Sequence, residues 1–111
     1  MVNSNNKCPF CNITKNKVLK RSTYFLYIEP TSKLNKDHSL IIPRRHLTDW
    51  RQLNTKEQQS FFKFLKTVTG KTESYNLFTN IGKPAGQQVD HIHFHLTPRR
   101  KGDKSPFKKI T

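Results

Sequence analysis

The sequence is poor in acidic residues and in long apolar stretches, and each shortage excludes a class of protein. Only 7 of its 111 residues are Asp or Glu, against 21 Lys and Arg, which gives a formal net charge of +14. No stretch approaches about eighteen consecutive apolar residues, so the sequence predicts no membrane span. The first six residues are polar and lack the apolar segment of a signal peptide, so we expect an intracellular, cytoplasmic protein.

Apolar residues are scarce overall, and this limits the core that the chain can build. They make up 32% of the sequence, and the mean hydropathy is −0.82. Eight Phe, three Tyr and one Trp therefore supply much of the area available for burial. The length suits a single domain, and we find no internal repeat or linker. We expect a loose tail at residues 1–7, one domain at 8–100 and a basic tail at 101–111.

The excess of positive charge favours binding to polyanions, which include nucleotides and nucleic acids. Compositional bias is the alternative explanation, because 15 of the 21 basic residues are Lys and they are scattered along the chain. The charge therefore fits a phosphate-bearing substrate. It also leaves open a module that binds nucleotide or nucleic acid without catalysis, whose binding would depend on salt.

Hydrophobic patterns predict an α+β fold, an antiparallel sheet of about five strands with one principal helix. The helix begins at Asn54 or Thr55, because capping-box spacing joins Asn54 to Glu57 and Thr55 to Gln58. It ends at Gly70. Its core face is predicted to contain Phe61, Phe62, Leu65 and Val68. Strands are predicted at residues 18–21, 24–28, 39–42 and 75–81, with 24–28 at the centre of the sheet, and a fifth strand carries the histidines.

Three histidines, His91, His93 and His95, alternate with large apolar residues before Pro98. A period of two is typical of a strand with one polar face, so we expect all three imidazoles on one face, about 7 Å from one to the next. A neutral imidazole is a good nucleophile toward phosphorus, and its pKa suits it to acid or base catalysis near pH 7. A three-histidine metal site is the alternative.

The only two cysteines, Cys8 and Cys11, are spaced C-x-x-C. In a reducing compartment this spacing favours a metal-binding or redox pair over a structural disulfide. The spacing alone does not decide between those two.

These motifs together resemble the histidine triad family. The segment 91–98 is similar to the family's His-φ-His-φ-His-φ-φ signature, and the match extends upstream through residues 80–89. The segment 38–46 resembles the family's His-x-Leu-φ-φ-Pro-(Lys/Arg)-x-His, and Cys8-Pro9-Phe10-Cys11 resembles the cysteine pair of many members. Three motifs in the expected order make the resemblance specific.

The resemblance implies hydrolysis or transfer at the α-phosphate of a nucleotide, through a covalent nucleotidyl-histidine. His93 matches the family's nucleophile, and His95 matches the residue that helps to hold the phosphoryl oxygens. His38 would reach the same site from the adjacent strand. Gln87 matches a position that contacts the phosphate or the leaving group. Substrates in the family include dinucleoside polyphosphates, phosphoramidates and adenylates, with purine nucleotides expected here and DNA adenylate as an alternative.

The resemblance also implies substrate-binding residues. Asn80 matches the strand-end Asn near the phosphate, and backbone N–H groups after Gly86 would line an oxyanion site. Gln88 stands where many members carry Ser or Thr, and its amide can donate a hydrogen bond but cannot relay a proton. Glu29 lies near the position of an acidic residue that binds ribose, and Arg99 is expected near the active site.

Zinc-containing members of the family use the positions of Cys8, Cys11, His46 and His91 as metal ligands. The resemblance therefore implies a Zn²⁺ site. Four protein ligands leave no open position for water, so the zinc would be structural. Family members are usually homodimers, which implies a homodimer here.

Overall fold

A computed structural model of the chain describes residues 7–31, 33–34 and 36–103. The strands are β1 (Val18–Arg21), β2 (Phe25–Ile28), β3 (Ser39–Pro43), β4 (Tyr75–Phe78) and β5 (Phe94–Pro98), and the helix is α1 (Thr55–Thr69). Short 3₁₀ turns cover Lys15–Lys17, Trp50–Gln52 and Lys83–Ala85. Most of the two predicted tails lies outside the described residues. Within the described part, no helix is long and apolar enough to cross a membrane.

The five strands form one antiparallel sheet in the order β1-β2-β3-β5-β4, which confirms the predicted α+β class. The prediction that residues 24–28 form the central strand is wrong. The central strand is β3, and all of its residues are buried. Strand β2 has β1 as its outer neighbour, and because β1 is a mostly exposed edge, the middle residues of β2 are only half-buried.

Helix α1 begins and ends where its local sequence predicts. The Asn54 side chain accepts a hydrogen bond from the backbone N–H of Glu57 at 2.9 Å, and Glu57 accepts one from the backbone N–H of Asn54 at 2.9 Å. Of the two candidate capping boxes, the structure therefore contains Asn54–Glu57. The helix ends at Gly70, whose φ of 53° is unfavourable for a residue with a side chain.

The core face of α1 differs from the prediction at one position. Phe61 and Phe64 are buried, whereas Phe62 is 64% exposed, so its assignment to the core is wrong. Adjacent helical residues point about 100° apart, and the helix turns Phe61 and Phe64 together toward Phe25 of β2. Leu65 and Val68 pack against this core while half-buried.

The two faces of the sheet carry different residues. Cross-strand partners share a face, and Ile41 pairs with Tyr27 and Phe94 on the face that α1 covers. Leu40 pairs with His95 on the opposite face. There Ile28, Leu40 and Ile42 are covered by Phe10 and Ile13 of the N-terminal segment.

The histidine row is only partly a strand, which corrects the prediction that all three rings project from one strand face. Strand β5 begins at Phe94, because the backbone N–H of His91 donates to Val89 O at 2.8 Å and that of Ile92 donates to Leu47 O at 2.6 Å. Strand β4 stops at Phe78, short of the predicted residue 81. Beyond it, the Thr79 side chain donates to the carbonyl of His93 at 2.7 Å.

Candidate active site and metal site

Three histidines from two neighbouring parts of the sheet lie together. His38 immediately precedes β3 and His95 lies in β5, and His38 Nε2 is 2.9 Å from His95 Nδ1. The ring centroids of His93 and His95 are 5.0 Å apart. The structure therefore brings together the three residues that the sequence assigns to the phosphate site.

The hydrogen bonds fix which nitrogen of His95 carries a proton. The backbone N–H of Leu34 donates to Nδ1 of His38 at 2.9 Å, so the proton of a neutral His38 is on Nε2. That proton is donated to Nδ1 of His95, whose own proton is therefore on Nε2. Nε2 of His95 is buried and has no hydrogen-bond partner among the described residues. A buried donor without a partner is rare in proteins and indicates that an external acceptor binds there.

His93 has the complementary arrangement. Its Nδ1 lies 2.9 Å from the carbonyl oxygen of His91 and donates to it, so Nε2 carries the lone pair. The ring is buried, with 6% of the residue exposed. A lone pair on His93 and a hydrogen-bond donor on His95 thus belong to neighbouring rings, as attack on a phosphorus atom requires.

The electrostatic environment keeps these rings neutral at pH 7. Burial, followed by the charges of His93 and His38, lowers the pKa of His95 to about 4. Burial, followed by Lys33 and His93, lowers the pKa of His38, and burial lowers that of His93. Neutral rings are the form in which the donor and acceptor assignments above hold.

The ring of His95 also has an aromatic neighbour that sequence analysis missed. Phe78 of β4 pairs with His95 across the sheet, and the two rings stack at 4.4 Å with an interplanar angle of 9°. The His38 ring stacks on His95 at 5.1 Å and 22°. The sequence identifies Phe78 only as a strand residue, because its contact depends on the register between β4 and β5.

A second cluster consists of Cys8, Cys11, His46 and His91, whose potential ligand atoms all lie within 4.8 Å of one another. Cys8 Sγ is 3.4 Å from Nδ1 of His91, and Cys11 Sγ is 3.2 Å from Nδ1 of His46. Neither cysteine is in a disulfide. These four residues are positioned to hold a metal ion.

The donor chemistry of this cluster fits a metal. Nε2 of His91 donates to the carbonyl oxygen of Pro43 at 2.8 Å, so Nδ1 keeps its lone pair facing the two sulfurs. A carbonyl that accepts from the other ring nitrogen is the usual support of a metal-binding histidine. Two thiolates and two imidazoles are the ligands that tetrahedral Zn²⁺ prefers.

Gln87 occupies a different environment from the one implied by a phosphate contact. It is buried, its Oε1 accepts from the backbone N–H of Gly82 at 2.7 Å, and its Nε2 donates to the carbonyls of Thr48 at 3.1 Å and Val89 at 3.2 Å. These amide contacts hold the loop before the histidine row together and join it to the backbone of Thr48. In this structure Gln87 organises that loop.

The loop also brings Asn80 and Gly86 together. Gly86 has a φ of 99°, and a Cβ added there would lie 3.5 Å from Nδ2 of Asn80. A side chain at position 86 would therefore be strained by the positive φ, while its Cβ would make an ordinary van der Waals contact with Asn80. Gln88, the next predicted substrate contact, is exposed.

The remaining two predicted substrate residues are Glu29 and Arg99. Glu29 forms an ion pair with Lys33 at 3.1 Å. Arg99 is half-buried and lines a cavity of about 590 Å³ that also includes Arg100 and Asp37, which form an ion pair. Neither Glu29 nor Arg99 has a hydrogen bond or ion pair to the three histidines in the part of the chain that is described.

A larger cavity, of about 610 Å³, borders Phe10, Cys11, Arg44 and Glu57 and contains none of the three histidines. The geometry of the histidines, and not the volume of this cavity, therefore marks the candidate reactive site. Arg45, which also lines the cavity, makes two hydrogen bonds to the buried Glu57 carboxylate, at 2.8 and 3.1 Å, and serves the fold.

Comparison with known proteins decides the family. The sequence profile of the HIT domain matches residues 12–102 of this chain. The chain belongs to the HIT (histidine triad) family. It is 36% identical over 101 residues to the adenosine 5′-monophosphoramidase of Schizosaccharomyces pombe, covering 83% of this chain and 74% of that protein.

Solved structures of HIT proteins have the same fold. A zinc-bound histidine triad protein from Mycobacterium smegmatis matches with a TM-score of 0.75 and 28% identity, over 88% of this chain and 78% of that one. A HIT family hydrolase from Legionella pneumophila matches with a TM-score of 0.70 and 26% identity, over 91% of this chain and 100% of that one. This HIT chain is an enzyme of the HIT hydrolase type.

Proposed function

We propose that this HIT hydrolase cleaves a nucleoside monophosphate derivative at its α-phosphate, through a covalent bond between phosphorus and Nε2 of His93. The observation that carries the proposal is the unpartnered, buried Nε2–H of His95 beside the lone pair of His93. A phosphoryl group placed against the Nε2 atoms of both rings would accept a hydrogen bond from His95, while its phosphorus would form a new bond to His93.

In the first step the lone pair on Nε2 of His93 attacks the α-phosphorus. The bond from phosphorus to the leaving group breaks with its electron pair on the leaving group, which takes up a proton from solvent. The Nε2–H of His95 stabilises the negative charge that grows on a phosphoryl oxygen. The His93 ring becomes positive, and its Nδ1–H bond to the His91 carbonyl stabilises that charge.

In the second step a water molecule attacks the same phosphorus and loses a proton to solvent. The bond between phosphorus and Nε2 breaks, and its electron pair returns to the ring of His93. The product is a nucleoside monophosphate. The His38 side chain acts in both steps by holding the proton of His95 on Nε2.

The substrate class is drawn partly from a relative. The adenosine 5′-monophosphoramidase name of the S. pombe protein supports a purine nucleoside phosphoramidate, and dinucleoside polyphosphates or adenylate conjugates are the competing substrates. Among the predicted contacts, Asn80 and Gly86 would meet the phosphate, Glu29 the ribose and Gln88 the leaving group, and Arg99 would lie near the active site. Gln87 would contribute by fixing the loop that carries Gly86.

Zn²⁺ is the metal that we propose for Cys8, Cys11, His46 and His91, because its preferred ligands are the four donors present. It would supply a cross-link between the N-terminal turn and the segment before β5, with no part in the bond-making steps. The relative with bound zinc supports this choice.

A homodimer is also proposed, since the exposed edge strand β4 carries two large apolar side chains, Tyr75 and Leu77, each 38% exposed. Sedimentation of the protein and of Leu77→Lys tests it: the substitution should shift a dimer toward monomer. Binding of nucleic acid by the basic surface remains a prediction, and an affinity for oligonucleotides that His93→Ala leaves intact would separate it from catalysis.

The covalent step has a direct test. The protein is mixed separately with adenosine 5′-phosphoramidate, with a dinucleoside polyphosphate and with an acyl-adenylate. Each sample is denatured at alkaline pH to preserve the phosphorus–nitrogen bond, and the mass of the protein is measured by mass spectrometry. We expect an added nucleotidyl mass that peptide mapping assigns to His93. An adduct on another residue, or turnover of all three substrates without any adduct, would contradict the proposal.

A further inference from the structure

Phe10 lies between the two cysteines of the metal cluster and contacts two histidines of the row. Its ring meets that of His91 edge-on, with centroids 5.9 Å apart and an interplanar angle of 86°. It meets the ring of His93 in the same manner, at 5.0 Å and 71°. One side chain therefore touches a predicted metal ligand and the proposed nucleophile.

We propose that Phe10 is a positioning residue that orients the His93 ring and makes its orientation depend on metal binding. The inference rests on the proposed role of His93 and assigns to Phe10 a part in that reaction. It concerns the rate of attack at phosphorus and not the affinity for the nucleotide.

The orientation of the His93 ring depends on the rings that pack against it. One hydrogen bond, from Nδ1 to the His91 carbonyl, holds the ring. The covalent bond at Cγ and this hydrogen bond at Nδ1 both act on the side of the ring nearest the backbone, so the ring can still tilt within the tolerance of one hydrogen bond, and the tilt moves Nε2. Edge-to-face packing against a neighbouring aromatic ring restricts such pivoting, and such pairs contribute about 0.5–1.5 kcal/mol beyond their buried area. Phe10 and His95, both at 5.0 Å, are the ring neighbours that can do so.

The turn between the two cysteines places the Phe10 ring. It lies in a turn closed by hydrogen bonds to the Cys8 carbonyl, from the backbone N–H of Cys11 at 3.2 Å and from the Asn12 side chain at 2.8 Å. Both ends of this turn are cysteines of the metal cluster. A metal bound by both sulfurs would fix both ends of the turn, and with them the ring between.

Phe10 is one of two residues that connect the metal cluster to His93. His91 also joins them, because its side chain belongs to the metal cluster and its carbonyl accepts from His93. That route acts on Nδ1 and survives loss of the Phe10 ring. A Phe10→Leu variant therefore removes one route and keeps the other.

The test uses the zinc-loaded and the chelated full-length protein, wild type and Phe10→Leu, with ¹⁵N-labelled histidine. In the wild type we expect chelation to shift or broaden the ring resonances of His93. In Phe10→Leu we expect these resonances to be displaced already in the zinc-loaded protein and to change much less on chelation. Equal responses of the two proteins would overturn the proposal, since the metal would then act through His91 alone.

A kinetic arm measures adduct formation on His93 in a single turnover at saturating nucleotide. We expect Phe10→Leu to lower this rate about tenfold or more, because small displacements of a reacting group cost that much. Phe10→Tyr, which keeps the ring, should recover the rate to within about twofold. A saturating rate that is unchanged in Phe10→Leu, with only the affinity reduced, would make Phe10 a nucleotide contact and overturn the proposal.

Phe64→Leu is the matched control, because Phe64 is a buried Phe on the opposite face of the sheet, packed on Phe25. It should lower stability and leave the His93 resonances and the single-turnover rate unchanged. Failure of the wild-type protein to form any adduct on His93 would instead refute the proposed function. The two failures are therefore distinguishable.

Discussion

The metal cluster and the proposed phosphate site each include members of the same row of histidines, and these members use different ring nitrogens. In His91 a backbone carbonyl binds Nε2, which leaves the lone pair on Nδ1 for a metal. In His93 a backbone carbonyl binds Nδ1, which leaves the lone pair on Nε2. In His95 another imidazole donates to Nδ1, which leaves a proton on Nε2. The partner of one nitrogen in each ring thus suits His91 to bind a metal, His93 to act as the proposed nucleophile and His95 to act as the proposed hydrogen-bond donor.

The largest expected effect comes from breaking the phosphate site alone. His93→Ala removes the only atom proposed to bond to phosphorus, so we expect turnover to fall by about 10⁴-fold or more. Nucleotide binding and the bound zinc, measured by calorimetry and by elemental analysis, should be preserved because the metal cluster is separate. Substantial turnover by this variant would contradict the nucleophile assignment, and loss of zinc would contradict the separation of the two sites.

Breaking the metal cluster alone should affect stability first. A metal at 100 times its dissociation constant stabilises the folded state by about 2.7 kcal/mol. For a domain of this size we therefore expect chelation to lower the melting temperature by about 10 °C or more. Calorimetry with and without chelator measures this, and Cys8→Ser should melt like the chelated wild type. An unchanged melting temperature in metal-free protein would show that the cluster holds no structural metal.

Changing the partner of His95 should convert its role. His38→Leu removes the donor to Nδ1, so the proton of His95 can move there and leave a lone pair facing the phosphate. We expect turnover to fall about 10²-fold, as for loss of one donor to a developing oxyanion. His38→Gln, whose amide can donate, should recover part of the activity, and Ser39→Ala, which loses a hydrogen bond to Tyr27, should have little effect. Equal activity of the Leu and Gln variants would exclude the tautomer argument.

The stability of the folded protein should depend on pH through His95. Burial, with His93 and His38, lowers the pKa of His95 from 6.5 to about 4 in the folded protein. Between these values the unfolded chain binds a proton that the folded protein does not, so stability is complete above pH 6.5 and is lost as the pH falls toward 4. Urea unfolding at several pH values should show a smaller loss in His95→Gln than in the wild type. Identical losses would contradict the lowered pKa.

Local sequence was sufficient to predict α1 and the motifs of both sites. The capping box of Asn54 with Glu57 and the break at Gly70 are signals within a few residues of the helix ends. Placing Phe62 in the core was a wrong prediction that the helical period alone could have corrected, because Phe61, Phe64, Leu65 and Val68 fall at i, i+3, i+4 and i+7. The period of two likewise suggested a strand through His91, where contacts to Leu47 and Val89 replace the sheet ladder.

The different roles of the histidines could not be read from their spacing. The partners that set them lie far away in sequence: Pro43 for His91, and His38 for His95. The resemblance to the family separated the two sites, but only the structure gives the hydrogen bonds that determine each tautomer. The same holds for Gln87, whose backbone contacts no motif indicates.

The smallest expected effect concerns Phe78, which stacks on His95 at 4.4 Å. Phe78→Leu keeps an apolar side chain but removes the flat surface against the ring. Since aromatic pairs contribute about 0.5–1.5 kcal/mol, we expect turnover to fall about three- to tenfold at unchanged zinc content. Steady-state kinetics and the ¹⁵N resonances of His95 measure the effect, and Phe64→Leu, which shortens a buried Phe on the opposite face of the sheet, is the control.

The outcome for Phe78 decides how the donor site is held. The hydrogen bond from His38 fixes the position of Nδ1 of His95 but leaves the plane of the ring free to tilt. On this view a stacked neighbour, Phe78, is needed to set that plane. Resonances of His95 that broaden in Phe78→Leu while its tautomer is retained would assign the plane to stacking and the proton position to His38. Unaltered resonances and turnover would assign both to the hydrogen bond from His38.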